Sequence, residues 1–340
     1  MPTENQKIMD VIIPVFRPDE TFLRLLQMLS RQTISIGKLI LINTEREYWS
    51  DAAEALCRKL SAEQNAIGGI ILRHISREMF DHAATRRLGI ELSDAPVFVC
   101  MTDDAVPADG RLLEHLYDAL MRRNAEKVAE AYACQLARED VRPAEQFTRS
   151  FNYPEKSFLK GAEDLERLGI KTFFASNVCC AYRREIYDRL GGFCAHAIFN
   201  EDMIYASEVI RAGFKIAYCA EAKVIHSHNY TSMQQLHRNF DLGMSQAMHP
   251  EVFAGLPSEG EGVRLVRNTA GWLVKNGHAL QLPGLFVQSA CKYAGYRLGK
   301  SYRKLPAALC MKLAMNRGYL EKHRAELWGD IRGEEEKKQR

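Results

Sequence analysis

The 340-residue sequence lacks several features that mark special classes of protein. Its nine cysteines form no C-x-x-C pair and lie mostly in apolar stretches, which predicts buried reduced thiols and neither a disulfide framework nor a cysteine zinc site. No apolar run reaches the roughly 18 residues of a membrane-spanning helix, so any membrane contact is expected to be peripheral. The opening residues, MPTENQKIMD, are polar and carry both charge signs, unlike a secretory signal. We therefore expect a cytoplasmic protein.

A further absence concerns nucleotide binding, because no glycine-rich G-x-G-x-x-G turn follows the first apolar stretch. This argues against a dinucleotide-binding domain. Short apolar stretches nevertheless alternate with segments in which apolar residues recur at helical spacing. The predicted strands are 9–15, 38–42, 69–72 and 97–101, and the predicted helices are 20–29, 51–60, 82–92 and 111–122. The alternation predicts an α/β fold with a doubly wound, mostly parallel sheet, whose ligands bind at the carboxyl ends of the strands.

The rest of the chain is less regular. The pattern is irregular from about residue 129, with a polar stretch through residue 152 and then a predicted helix at 163–168. Order returns over 173–243, with predicted helices at 185–190 and 202–211, strand-like stretches at 215–219 and 222–225, and a predicted helix near 232–248. We divide the chain into a catalytic domain (1–255), a C-terminal basic amphipathic helical segment (256–330) and a low-complexity tail (331–340) that we expect to be disordered.

The C-terminal segment concentrates positive charge. Between Gly284 and Arg324, nine lysines and arginines oppose one acidic residue, Glu321, and aromatic residues interleave with them. This favours a helix that docks on an anionic membrane surface. The alternative is a helical hairpin that caps the catalytic domain or forms a homodimer. No nucleic-acid-binding motif accompanies the charge, so we expect no nucleic-acid partner.

An acidic pair follows the fourth predicted strand. Asp103 and Asp104 come directly after the apolar stretch VFVCM and Thr102. Hard divalent cations such as Mg²⁺ or Mn²⁺ take carboxylate oxygens and also bind diphosphate oxygens, so the pair is a candidate metal site. A helix cap or turn is the structural alternative.

A second acidic pair, Glu201 and Asp202, opens a predicted helix. A carboxylate beside an acceptor hydroxyl can act as a general base, although acids at a helix start are also ordinary caps. His226 and His228 follow downstream and would share one face if they lie in a strand, where one of them could complete a metal shell.

Basic residues supply two further candidates. Asp81 precedes a predicted helix that carries Arg86 in its second turn, where free backbone N–H groups and a guanidinium suit a phosphate. Arg238 lies in the predicted helix after the two histidines. For both arginines, a solvated helix face is the alternative interpretation.

Taken together, five stretches resemble glycosyltransferase family 2, and within it the bacterial rhamnosyltransferases. They are VIIPVFRPD, LINTEREYW, FDHAATRRLG, VFVCMTDDAVPAD and the region from SNVCCAYRREIYDRLGGF through FNEDMIYASEVIRAGFKIAYCAEAKVIHSHNYT, and they cover about residues 9–243. The resemblance implies a GT-A type fold, which is a Rossmann-like nucleotide-sugar domain, here followed by a C-terminal helical segment.

The resemblance also implies roles for individual residues. It makes Asp202 the catalytic base and Glu201 its neighbour at the acceptor, and it assigns the metal to Asp104 and His226. Asp104 matches the second acid of the family's D-x-D motif, whereas Thr102 stands where the first acid is usual, so Asp103 is a possible substitute. His228 and Arg238 are secondary candidates. The implied nucleotide-sugar contacts are Pro14, Val15, Phe16, Arg17, Asn43, Glu45, Asp81, Arg86, Asp103 and Asp104.

The implied reaction is an inverting transfer of L-rhamnose from dTDP-rhamnose to an acceptor hydroxyl on a cell-surface polysaccharide or a lipid-linked glycan precursor. A family 2 transferase that uses a UDP-hexose or UDP-galactofuranose is the alternative. A sugar-nucleotide pyrophosphorylase would need a glycine-rich loop with a basic residue after the first strand, which PVFRPDE lacks. A non-catalytic nucleotide-sugar-binding scaffold is a further alternative, to which only Thr102 points.

Overall fold

The computed structural model describes residues 9–63, 66–122, 127–256 and 259–329. Nine strands within these ranges form one sheet in the order β3-β2-β1-β4-β8-β6-β9-β5, with β7 paired to β9. The strands are β1 (Met9–Val15), β2 (Ile36–Thr44), β3 (Ile70–Ile75), β4 (Val97–Met101), β5 (Val106–Pro107), β6 (Val128–Leu136), β7 (Phe158–Lys160), β8 (Cys179–Arg183) and β9 (Lys215–Ile225).

The first four strands pair in parallel, and the predicted doubly wound α/β arrangement is confirmed there. Beyond β4 the sheet is mixed, because β8 runs antiparallel to both β4 and β6, whereas β6 and β9 are parallel. Strands β1 and β4 are apolar and almost wholly buried because helices cover both faces of the sheet. The carboxyl ends of β1, β2 and β4 therefore lie at one edge.

Several helices of the catalytic part start at a residue whose side chain caps them. Asp19, for example, accepts hydrogen bonds from the N–H groups of Thr21 and Phe22 and so fixes the start of α1. The helices up to residue 256 are α1 (Glu20–Leu29), α2 (Asp51–Ala62), α3 (His82–Glu91), α4 (Leu112–Tyr117), α5 (Pro143–Asn152), α6 (Leu165–Leu168), α7 (Arg184–Arg189), α8 (Glu201–Arg211), α9 (Ser232–Met248) and α10 (Pro250–Phe253). The predicted helix 111–122 divides into α4 and a π-helical turn over Asp118–Arg122.

Two elements contradict the irregular pattern expected over residues 129–152, namely β6 and α5. Strand β6 lies inside the sheet and is buried on both faces, so its alanines and cysteine show no alternation of polar and apolar residues. The two stretches 215–219 and 222–225 form one continuous strand, β9, whose register against β6 shifts between Ala133 and Cys134.

The longest C-terminal helix packs on α9 through glycines. The C-terminal helices are α11 (Glu259–Lys275), α12 (Leu282–Lys300), α13 (Ala307–Leu313), α14 (Arg317–Lys322) and α15 (Arg324–Trp328). At Gly243 of α9 and at Gly295 and Gly299 of α12, an added Cβ would overlap a backbone carbonyl of the other helix. The two backbones thus touch. Across the described ranges, no helix combines the length and the apolar character needed to cross a membrane.

Candidate active site

The end of β1 lies beside the acidic turn that follows β4. Val15 pairs with Asn43 of β2, so both strands end at the same level. The N–H of Phe16, just beyond β1, donates to Asp103 Oδ2 at 2.9 Å. Burial raises the pKa of Asp103 to about 7. Asp103 thus binds the loop after β1, whereas the neighbouring Asp104 faces His226 and His228.

An exposed cationic and aromatic cluster stands at the ends of β1 and β2. The Arg17 guanidinium carbon lies 4.3 Å from the centroid of the Tyr48 ring and 5.2 Å from that of Phe16. Phe16 is 41% exposed and packs edge-to-face against Tyr48. Arg17 and Glu45 both adopt left-handed backbone conformations, with φ of 55° and 65°. A flat ring such as a nucleobase can stack on this kind of surface.

Asn43 and Glu45 shape the neighbouring loop. Asn43 Nδ2 donates to the Glu45 carbonyl at 2.9 Å and lies 3.0 Å from His74 Nδ1. The Glu45 carboxylate accepts the N–H of Arg77. Asn43 Oδ1 is buried without a hydrogen-bond partner among the described residues, as is the neighbouring Thr44 hydroxyl, so both polar atoms are available to a ligand that reaches them.

Asp104 faces both histidines. Its Oδ1 lies 3.5 Å from Nε2 of His226, and its Oδ2 lies 3.3 Å from Nε2 of His228. The two Nε2 atoms are 3.1 Å apart. Strand β9 ends at Ile225, so the histidines do not share a strand face; the loop after the strand brings them together. One carboxylate and two imidazoles within this distance form a candidate metal centre.

A hydrogen-bond network fixes the His226 ring. Its Nδ1 lies 3.0 Å from Gln135 Oε1, and an amide oxygen only accepts, so Nδ1 carries the proton and Nε2 presents a lone pair to Asp104. Gln135 in turn donates to the Ser176 hydroxyl and accepts from Arg149 of α5. Burial lowers the pKa of His226 to about 3, which keeps the imidazole in the neutral form that binds metals.

Glu201 and Arg86 form a buried ion pair. Arg86 Nη1 lies 3.1 Å from Glu201 Oε1, and both side chains are 6% exposed. Asn177 Nδ2 also donates to Glu201 Oε1 at 3.0 Å, and Tyr182 Oη donates to Asn177 Oδ1. Burial acts to raise the pKa of Glu201, but the charges of Arg86 and His82 outweigh it and the pKa is lowered. Glu201 therefore stays ionised, with two side-chain donors on its Oε1 atom.

Asp202 has the opposite electrostatic environment. Two backbone N–H groups bind its carboxylate, from Asn177 at 3.1 Å and from Met203 at 2.8 Å. Burial and the adjacent Glu201 charge raise the pKa of Asp202 to about 7. Two neighbouring carboxylates with pKa values displaced in opposite directions are the pattern expected of an acid–base site.

Residues 176–178 connect these groups. The Ser176 hydroxyl accepts a hydrogen bond from Gln135, the residue that fixes the His226 ring. The Asn177 N–H donates to the Asp202 carboxylate. The Val178 carbonyl accepts the N–H of Thr102 at 3.2 Å. Thr102 precedes the acidic pair, and its hydroxyl is buried without a partner among the described residues. The candidate base, the acidic turn and the histidine loop are thus tied to three consecutive residues.

Asp81 and Arg86 do not present free polar groups at the surface. Asp81 is fully buried and caps α3 by accepting the N–H groups of Ala83 and Ala84, and it also accepts from Ala197. Arg86 is 5% exposed and paired with Glu201. In this conformation their contacts position α3 and the start of α8.

A cavity of about 310 Å³ opens beside the histidine loop, between α5, the start of α9 and α12. His228 and Tyr230 form its inner wall, and Arg142, Glu145 and Lys292 contribute charged groups. Arg238 stands nearby, with its guanidinium carbon 5.8 Å from the centroid of the Tyr230 ring and 4.6 Å from that of Phe199. The cavity therefore adjoins the candidate metal centre.

Four residues of this site were missed by sequence reasoning: Gln135, Arg149, Asn177 and Tyr230. Gln135 and Arg149 belong to β6 and α5, which the sequence pattern did not reveal. Asn177 acts through its position before β8, and Tyr230 through its proximity to His228, with ring centroids 4.8 Å apart. A polar residue inside the stretch VAEAYACQL was the available signal for Gln135.

Comparison with known proteins is consistent with this geometry. The family model for glycosyl transferase family 2 matches residues 10–191. The O-antigen chain rhamnosyltransferase RfbN of Salmonella typhimurium is 35% identical over 313 residues, covering 91% of this chain and 95% of that protein. The O-antigen chain rhamnosyltransferase WbaN of Salmonella anatum is 38% identical over 249 residues, covering 72% and 77%.

A solved structure supports the fold. The mannosyltransferase PcManGT from Pyrobaculum calidifontis, in complex with GDP-Man and Mn²⁺, matches with a TM-score of 0.53 at 13% identity, over 96% of this chain and 88% of that chain. Its likeness confirms the predicted GT-A type architecture. The match of the family model and the extent of the sequence similarity show that the chain is a glycosyltransferase and belongs to glycosyl transferase family 2.

Proposed function

We propose that this glycosyltransferase moves L-rhamnose from dTDP-L-rhamnose to an acceptor hydroxyl on a cell-surface polysaccharide or a lipid-linked glycan precursor, with inversion at the anomeric carbon. The observation that carries the mechanism is the junction at residues 176–178, which ties Asp202 to the acidic turn and to the support of His226. The donor sugar is proposed from the names of the two O-antigen rhamnosyltransferases that resemble the chain over most of its length.

The chemical step is a single displacement. The acceptor oxygen attacks the anomeric carbon, the bond from that carbon to the diphosphate oxygen breaks, and the hydroxyl proton passes to the Asp202 carboxylate. The backbone N–H groups of Asn177 and Met203 orient that carboxylate. A pKa near 7 makes it a competent base at neutral pH. Attack opposite the leaving group inverts the anomeric centre.

Asp104, His226 and His228 would hold a divalent cation, Mg²⁺ or Mn²⁺. The donor set fits, because neutral His226 presents the Nε2 lone pair to a carboxylate oxygen 3.5 Å away with no proton between them. A cation between two such acceptor atoms relieves their repulsion. When bound, it supplies positive charge that stabilises the departing diphosphate. Phe16, Arg17 and Tyr48 would stack on the base, and Asn43 Oδ1 is free to accept from the nucleoside.

The acceptor is proposed to bind in the 310 Å³ cavity beside His228. Lys292 and Arg142 on its wall suit an anionic acceptor group, and the cavity adjoins the candidate metal centre. A lipid-linked acceptor would bring the enzyme to the inner face of the plasma membrane. The C-terminal segment carries the exposed apolar side chains that such docking requires, including Leu280, Phe286 and Tyr293.

Titration calorimetry of the full chain with dTDP and with UDP, each with and without Mn²⁺, tests the donor and the metal together. We expect dTDP to bind in a metal-dependent way and more tightly than UDP, and dTDP-rhamnose to be turned over. A preference for UDP, with turnover of a UDP-hexose or UDP-galactofuranose, would replace rhamnose by that sugar. If neither nucleotide binds, the enzyme mechanism proposed here is wrong and a scaffold function is favoured. Asp104→Asn serves as the metal-site control and should remove the Mn²⁺ dependence.

A further inference from the structure

The described residues contain a second group of metal-ligating side chains, away from Asp104. Asp81, His196 and His323 each offer one ligand atom, and these atoms lie within 4.8 Å of one another. His196 Nδ1 is 3.4 Å from Asp81 Oδ2, and the two imidazole centroids are 4.8 Å apart. The three residues come from three separate places in the sequence, so the tertiary fold has assembled the group.

The His323 side chain indicates a ligand. His323 is 9% exposed, and its Nε2 is buried with no hydrogen-bond partner among the described residues. Its other ring nitrogen, Nδ1, lies 3.2 Å from the Glu326 carboxylate. A carboxylate on one ring nitrogen and an unoccupied second nitrogen is the arrangement that metal-binding histidines adopt, since the carboxylate fixes the tautomer and makes the free nitrogen more basic. An unpaired buried nitrogen is otherwise costly.

Asp81 is a suitable third ligand. Its Oδ1 accepts the N–H groups of Ala83 and Ala84 at 2.8 and 2.9 Å, which fixes the carboxylate as the cap of α3. Its Oδ2 faces His196 and, among the described residues, accepts one other hydrogen bond, from the Ala197 N–H at 3.3 Å. The carboxylate is fully buried, whereas the His196 side chain is 46% exposed, so an ion can enter from the His196 side.

We propose that Asp81, His196 and His323 form a second metal site, which takes Zn²⁺. Two imidazole nitrogens and one carboxylate oxygen with an open fourth position are a typical zinc donor set. The site joins the turn between α14 and α15 to the loop that leads into α8, where Asp202 lies. Zinc would therefore clamp the C-terminal segment onto the catalytic part.

The test measures Zn²⁺ binding to the full chain by calorimetry and by metal analysis after dialysis. His226→Ala combined with His228→Ala provides the background, because it removes the ligands at Asp104. We expect one Zn²⁺ to remain bound in that background. Adding His196→Ala, which alters a half-exposed side chain, should weaken its binding at least tenfold, and Glu326→Gln should weaken it about tenfold. His323→Ala should abolish it, with circular dichroism verifying the fold.

His249→Ala is the matched control. His249 also contacts a glutamate, with Nδ1 3.0 Å from Glu251, but it belongs to no group of three ligands among the described residues. Its substitution should leave Zn²⁺ affinity unchanged. Co²⁺ substitution supplies a second readout, because its visible absorption reports imidazole coordination and should disappear in the His196 variant. Zinc affinity that is equal in the background, His196→Ala and Glu326→Gln proteins would overturn the proposal.

Discussion

Asp202 is held by two backbone N–H groups beside the buried pair of Glu201 and Arg86. The Asp202→Asn variant keeps the size of the side chain and removes its ability to accept a proton. We expect turnover to fall roughly 10²- to 10⁴-fold. The affinity for dTDP should change less than about twofold, since the nucleotide contacts proposed above involve other residues. Steady-state kinetics measures the turnover, and calorimetry measures the dTDP affinity.

Asp188→Asn is the matched control, because Asp188 has a 59% exposed side chain on α7. Its turnover should equal that of the wild type. Unchanged turnover in Asp202→Asn would exclude Asp202 as the base.

The pH dependence of turnover follows from the raised pKa of Asp202. Only the ionised carboxylate accepts a proton, so the rate should rise about tenfold per pH unit below pH 7 and level off above it. Burial is the larger cause of the raised pKa and the charge of Glu201 the next. Glu201→Gln removes that charge, which lowers the pKa of Asp202 and should move the rising part of the pH–rate profile to lower pH. A profile in which this rising part stays in place would contradict this electrostatic coupling.

The Arg86–Glu201 pair makes a separate prediction about stability. Arg86→Leu leaves the Glu201 carboxylate buried with only Asn177 as a side-chain partner, and breaking a buried pair in this way costs about 3–5 kcal/mol of unfolding free energy. Urea denaturation of the two proteins measures this loss of unfolding free energy. Arg58→Leu, which removes a pair with Glu54 on an exposed helix face, should change stability little. Equal effects of the two substitutions would show that Glu201 does not depend on Arg86.

At the scale of elements, the contact between α9 and α12 depends on glycine. A Cβ on Gly299 would overlap the carbonyl oxygen of Phe240 and lie 2.8 Å from the N of Met244, and backbone atoms in a helix cannot move aside. Gly299→Ala should therefore cost about 1–3 kcal/mol of unfolding free energy despite the better helix propensity of alanine. Gly271→Ala on α11 meets no atom within 4 Å and should be neutral or stabilising. Thermal and urea unfolding distinguish the two, and equal stability would refute close packing.

Polar contacts join the same elements. The Asp241 carboxylate of α9 accepts the N–H groups of Met315 and Asn316, and His237 Nδ1 lies 2.8 Å from the Leu313 carbonyl. Phe240 and Met244 are buried in a common cluster with Tyr302 and Leu320. Removal of the C-terminal segment would expose this cluster, and point substitutions are therefore the better probes of its function.

At the scale of the whole molecule, membrane docking remains a prediction. Phe286, Tyr293 and Lys300 recur at helical spacing on the exposed side of α12, near the cavity proposed for the acceptor. Phe286→Glu with Tyr293→Glu should weaken binding to phosphatidylglycerol vesicles about tenfold or more, because it removes two exposed aromatic side chains that would insert into the membrane and adds two negative charges that the anionic lipid repels. Vesicle sedimentation measures the affinity.

Phe158→Glu is the control, because Phe158 is a 40% exposed aromatic residue on β7, away from α12. This variant should bind vesicles like the wild type. Equal vesicle binding by all three proteins would contradict docking through α12. A shift from dimer to monomer in analytical ultracentrifugation, without loss of vesicle binding, would favour the homodimer instead.

Local pattern was sufficient for much of the fold. The strands at Met9–Val15 and Val97–Met101 and the helices at Glu20–Leu29 and Ser232–Met248 have the predicted bounds, because each combines a clear apolar period with a cap or turn at its ends. Strand β6 was not predicted, because a strand buried on both faces shows no alternation of polar and apolar residues. In addition, its buried Glu130 is a residue type that is usually found at the surface.

The sequence by itself determined the α/β class, the family, and the types of residue at the strand ends, since these depend on short-range periodicity and on contiguous motifs. Only the tertiary structure decided what each side chain contacts. It brought Asp104 between His226 and His228, buried Asp81 and Arg86 in caps and pairs, and tied Asp202 to residues 176–178. These contacts join residues far apart in the chain, and no local pattern encodes the distance between them.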